Sequence, residues 1–177
     1  FPHANNCFEN NRPLDPQARC LPEYLPQGKY ATAHIGKWHL GDELFAQHGF
    51  DEWISTEDGY HPYYSPGRDP ATSSDYKRFL IEQGFPPVTT RALVAGFAEP
   101  FTKAHFVGAQ TAAYIRRHKH HPFVVYANFL EPHMPFYGPR NGQYDPEKIP
   151  LPDNFEAAPG PDQHIKYQLF AAAWRRY

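Results

Sequence analysis

The clearest strand pattern in the chain is Phe123-Val124-Val125-Tyr126-Ala127-Asn128-Phe129. It is apolar on both faces, which predicts a strand of a helix-covered parallel sheet. A shorter run, Tyr30-Ala31-Thr32-Ala33-His34-Ile35, lies between Gly28 and Gly36 and predicts a second buried strand. Helical spacing predicts a helix over Ser74–Gln83. Ser74 is its cap, Asp75 sits in the first turn, and Tyr76, Phe79, Leu80 and Gln83 share a face. Gly84 and Pro86-Pro87 stop it. A second helix is predicted from Lys103 to Lys119, with Phe106, Ala109, Ala113 and Tyr114 near one face. A third is predicted from Gln163 to Arg176, capped by Asp162, and a short one over Leu21–Gln27 with Pro22 in its first turn. Residues 42–72 and 136–162 show no sustained period and read as loop. Strands alternating with helices predict an α/β layered sheet. Two strands are fewer than the roughly five of an ordinary sheet, so the pattern predicts part of a larger one.

Composition narrows the class. Proline fills 20 of 177 positions, about twice the ordinary share, which argues against a helical bundle and for ordered loops. Aromatics at 16% exclude a disordered linker. The formal net charge of -2 leaves no basic footprint for nucleic acid or an anionic membrane. No apolar run approaches the ~20 residues of a membrane span. Cys7 and Cys20 have no C-x-x-C spacing; they could pair or both be free.

Both predicted strands run into ionisable groups: Lys37 and His39 after the first, His133 after the second. In a parallel sheet the strand C-termini share one edge, where ligands bind. A lysine supplies a positive charge there, and histidines supply hydrogen bonds and proton transfer near neutral pH. Together they suit a compact tetrahedral oxyanion, sulfate or phosphate.

Residues 30–41, Tyr-Ala-Thr-Ala-His-Ile-Gly-Lys-Trp-His-Leu-Gly, resemble a signature of the sulfatase family, within the alkaline-phosphatase-like superfamily. Lys29 stands where that signature has glycine. Pro122 to Phe136, with Asn128 and His133-Met134-Pro135, resembles the family's mid-domain strand and its following His-x-Pro. Phe1-Pro2-His3, His48-Gly49-Phe50-Asp51 and Ile149-Pro150-Leu151-Pro152 are weaker matches in the same order. The resemblance implies an α/β fold: part of an alkaline-phosphatase-like mixed or parallel sheet flanked by helices, with long Pro-rich loops. It implies that residues 1–177 are one partial catalytic domain.

The same resemblance implies roles. Lys37 contacts the sulfate and the nucleophile, His39 stands beside the nucleophile and takes its proton, and His133 binds the sulfate and assists the leaving alcohol. The family nucleophile is a formylglycine made within Cys/Ser-x-Pro/Ala-x-Arg. Neither Cys7 nor Cys20 begins that motif, so it is expected upstream of Phe1. The family's Ca2+ ligands are likewise expected outside this chain, and no metal ligand is assigned within it. The implied substrate is a small-molecule or glycan sulfate ester, with no nucleic acid and no membrane span. A phosphonate or phosphodiester hydrolase and a non-catalytic copy are the alternatives. Exported, periplasmic and lysosomal relatives leave localisation open.

The other notable residues have plainer readings. His34 is a structural strand residue, and Trp38 packs. His118-Lys119-His120-His121 places cations at a helix C-terminus, where the dipole favours them. His61, with Tyr60, Tyr63 and Tyr64, lines a substrate mouth or packs within its loop. No acidic residue is given a catalytic role.

Overall fold

A computed structural model describes residues 2–10, 12–59, 61–87 and 94–174. The chain divides into two compact units, Phe1–Pro139 and Arg140–Tyr177.

The first unit holds a three-stranded parallel sheet of order β2-β1-β3: β1 Ala31–Gly36, β2 Glu52–Ser55 and β3 Phe123–Asn128. Helices α1 Asp75–Glu82 and α2 Lys103–His118 accompany it. The α/β expectation therefore holds. The central strand is β1, whose Ala33 and Ile35 are fully buried; β3 is half-buried at one edge of the described sheet. Strand β2 lies within residues 42–72, whose pattern predicts loop; its four residues are too few to show an alternation.

Alternation along β1 builds two different cores. Ala33 and Ile35 face α2 and pack with its Val107 and Tyr114. The neighbouring residue on the same helix, Phe106, points to a different side and packs with Tyr76 and Leu80 of α1. Helix α2 thus joins sheet to α1 through apolar contact. Ser74 caps α1 by accepting from Lys77 N (3.3 Å), and Thr102 caps α2 by accepting from His105 N (3.2 Å). The Asp75 carboxylate accepts from Ser55 N (2.8 Å) and Ser55 Oγ (2.9 Å), fastening α1 to the end of β2.

His34 points the other way. It is fully buried and stacks between its cross-strand partners, Trp53 at 4.2 Å and Tyr126 at 5.8 Å between ring centroids. Trp38 and Phe50 meet it edge-on. Burial lowers its pKa from 6.5 to about 4, against a smaller opposing pull from the Lys37 backbone. The imidazole is neutral in the folded protein. The folded pKa lies below the unfolded one, so His34 favours folding fully above pH 6.5; that contribution drains as pH falls and is gone below about 4. The span corresponds to roughly 3 kcal/mol. Urea midpoints of His34→Phe and the parent should therefore converge or cross as pH drops from 7 to 4; a parallel pair of curves would refute the assignment.

The packing reading of Trp38 holds: it is buried against His34 and Trp53. The Asp51 carboxylate accepts from Thr32 N (2.9 Å) and Thr32 Oγ1 (2.8 Å), pinning the entry of β2 to β1. At the end of α2, Arg117 and His118 both engage Glu52 of β2, at 2.5 and 3.0 Å.

The second unit contains α3, Ile165–Trp174. Its start lies three residues after Asp162. Lys166 N donates to His164 Nδ1 (3.1 Å), so the imidazole takes the capping role expected of that aspartate. The Leu21–Gln27 helix is a single tight turn, Leu21–Tyr24, cut short by Pro26.

Candidate active site

The site begins where β1 ends. Gly36 has φ 125° and is paired with Asn128 of β3. A β-carbon there would lie 2.1 Å from the Asn128 carbonyl oxygen, so only glycine lets the two backbones close up. The Asn128 side chain also donates to the Lys37 carbonyl. Lys37 is thereby delivered at the C-terminal edge of the sheet. It is 7% exposed, and its Nζ makes no hydrogen bond to any described residue.

His39 follows in the left-handed region, φ 61°. It is half-buried, with its ring edge-on to Tyr63 at 6.2 Å. The turn is held by an acidic side chain. Glu43, fully buried, accepts from Trp38 N (2.7 Å) and His39 N (2.8 Å). Burial pushes its carboxyl up, and the two amide bonds pull against that. Asp42 beside it accepts from Leu44 N (3.1 Å), Ser65 N (2.8 Å) and Arg68 (3.0 Å). The Arg68 guanidinium lies 3.8 Å over the Tyr64 ring. Glu57 is paired with Lys103.

His133 lies five residues past β3, in the turn Leu130–His133, between the cis bonds Glu131–Pro132 and Met134–Pro135. It is exposed, and its Nδ1 lies 2.8 Å from the Met134 carbonyl. The parallel pairing puts the β1 and β3 ends at one edge, as the spacing predicts. Of the aromatic loop, Tyr63 is buried and Tyr64 is stacked beneath Arg68. Tyr60 and the His61 side chain lie outside the described residues.

The sulfatase family model matches residues 1–164. The chain belongs to the sulfatase family. An N-acetylglucosamine-6-O-sulfatase of Bacteroides thetaiotaomicron is 30% identical over 183 residues, covering 96% of this chain and 28% of that protein. An N-acetylgalactosamine-6-sulfatase of Sus scrofa is 28% identical, over 78% of this chain and 27% of that protein. An uncharacterized sulfatase of Schizosaccharomyces pombe is 27% identical, over 72% and 23%. The chain spans less than a third of the length of each. No solved structure matches it.

Sulfatases are associated with calcium and a formylglycine, and the carboxylates here do not fit the metal. A hard cation needs several free oxygens. Asp42, Glu43 and Glu57 are each engaged by amides or a cation. Cys20, Glu23 and His48 also approach one another, with candidate ligand atoms within 4.8 Å. That trio is a helix cap: Glu23 accepts from Cys20 N (2.7 Å), and His48 Nδ1 lies 2.9 Å from the Ala18 carbonyl. Both cysteines are free thiols.

Glu43 carries no distinguishing mark in the sequence. Its signal was a lone carboxylate four residues after His39, indistinguishable from the surface acids around it until burial is known.

Proposed function

We propose that this chain is the sulfate-holding part of a sulfuric ester hydrolase, acting on a 6-sulfated amino sugar or a similar glycan ester. The observation that carries this is Lys37: an ammonium buried at the end of β1 with no hydrogen-bond partner among the described residues. A buried charge is costly unless something of opposite sign meets it. A sulfate oxygen placed there would be bound by the charge and held tighter as negative charge builds on it during ester cleavage.

His39, on its fixed turn beside Lys37, takes and returns a proton at the nucleophile. His133, reaching the same edge from β3, hydrogen-bonds the sulfate and protonates the departing alcohol oxygen. The formylglycine would supply a hydrated aldehyde as nucleophile from outside this chain, and calcium ligands would also come from outside it. The exposed Pro-rich stretch 136–162 and the loop 58–66 are candidates for reading the sugar.

The relatives named above are all sulfatases, which favours sulfate over phosphate or phosphonate. In the intact protein, kcat/KM should be higher for 4-nitrophenyl sulfate than for bis(4-nitrophenyl) phosphate. It should rise further on 6-sulfated N-acetylhexosamines. A preference for the phosphodiester would overturn the reading.

A further inference from the structure

We propose that Glu43 is the positioning residue of this site, holding the Lys37–His39 backbone so that both side chains face one anion. The inference deepens the sulfatase reading and rests on it.

Two consecutive amides, Trp38 N and His39 N, converge on the two oxygens of one carboxylate, at 2.7 and 2.8 Å. Consecutive N–H groups aimed at one point form an anion-binding concavity. Here the protein fills that concavity with its own carboxylate. The convergence depends on His39 adopting φ 61°, which a non-glycine residue adopts only when its surroundings enforce it. Glu43 is the group that enforces it.

Glu43 is braced in turn. Its carbonyl accepts from Trp53 Nε1 at 2.7 Å, and Trp53 is the β2 residue stacked on His34. Gly59, at φ 80°, leaves room for the side chain: a β-carbon there would sit 3.1 Å from Glu43 Cγ. The clamp therefore ties the turn to β2 and to the 58–66 loop. Packing alone would be served better by an apolar residue, since a buried carboxylate carries a large desolvation cost. Only an ionised carboxylate offers an acceptor to both amides. Glutamine offers one acceptor and sets its NH2 against the other N–H; aspartate is one methylene short.

The test uses the intact enzyme on 4-nitrophenyl sulfate, with kcat counted per titrated active site. Glu43→Gln should lower kcat by roughly 10²-fold, the scale of a 1 Å misplacement, with a much smaller change in KM. A purely structural role would instead lower the number of active sites and leave kcat per site intact. Trp53→Phe keeps the stacked ring but removes the bond to the Glu43 carbonyl; it should lower kcat about fivefold, and it carries the test if Glu43→Gln does not fold. Parent-like kcat per site in the folded variants overturns the proposal while Lys37→Ala and His39→Ala remain impaired. Full activity in those two controls overturns the sulfatase reading, and the proposal with it.

Discussion

Lys37→Ala is expected to abolish nearly all turnover of an aryl sulfate by the intact enzyme while leaving it folded. Losing one preorganised charge at a developing oxyanion costs roughly 10²–10³-fold in kcat. Lys37 is better placed than most such groups, being 7% exposed with its Nζ enclosed. An electrostatic contact strengthens when water is kept away. Stability should move the other way. Removing a buried ammonium that has no hydrogen-bond partner among the described residues relieves a desolvation cost, offset only by its charge attraction to Glu43, so Lys37→Met, which keeps the stem, should melt no lower than the parent. Activity lost with Tm kept or raised is the signature of a group retained for its ligand. Near-parent turnover in Lys37→Ala refutes the assignment, and a large fall in the Tm of Lys37→Met would mean that Lys37 is structural.

Gly36→Ala is expected to be the most destabilising single methyl in the first unit. The added carbon would lie 2.1 Å from the Asn128 carbonyl oxygen and 2.8 Å from its carbon. Both atoms are backbone, so no rotamer change relieves the clash. The φ of 125° adds strain of its own. Together these should cost at least ~3 kcal/mol, against a typical total of 5–15. Gly28→Ala is the control. Its φ is 70°, but nothing lies within 4 Å of the added carbon, so only the left-handed penalty of about 1 kcal/mol remains. Urea midpoints of the two variants decide the point: similar losses would mean that Gly36 serves conformation alone and the close approach of β3 is dispensable.

These two residues also show what was legible beforehand. Lys37 could be picked out because a strand, a glycine and an ionisable cluster follow one another in sequence, and the sulfatase signature lies in one continuous stretch. The helices over 75–82 and 103–118 were legible because their caps and apolar faces are local. Strand β2 was not: Glu52–Ser55 owes its form to Asp51 bonding Thr32 and to Trp53 stacking on His34, both supplied by a distant segment. Glu43 was hidden for the same reason. A carboxylate announces itself as solvent-facing until two amides are seen turned toward it. His133 shows the reverse case, a residue found by motif whose exposed turn gives no burial or charge pattern of its own.

The strand order carries a consequence for how the chain reaches its native state. Strand β1 pairs on one side with β2, close by in the chain, and on the other with β3, which is translated far later. During synthesis the β1–β2 pair can form early, yet the other edge of β1 stays unpaired until β3 has emerged, and its Ala33–Ile35 face stays uncovered until α2 has emerged. Long-range parallel pairing is slow, and unpaired strand edges invite association between chains. Aggregation of nascent chains interrupted before Phe123 is the expected weakness of this topology, and it falls on the strand that leads into Lys37.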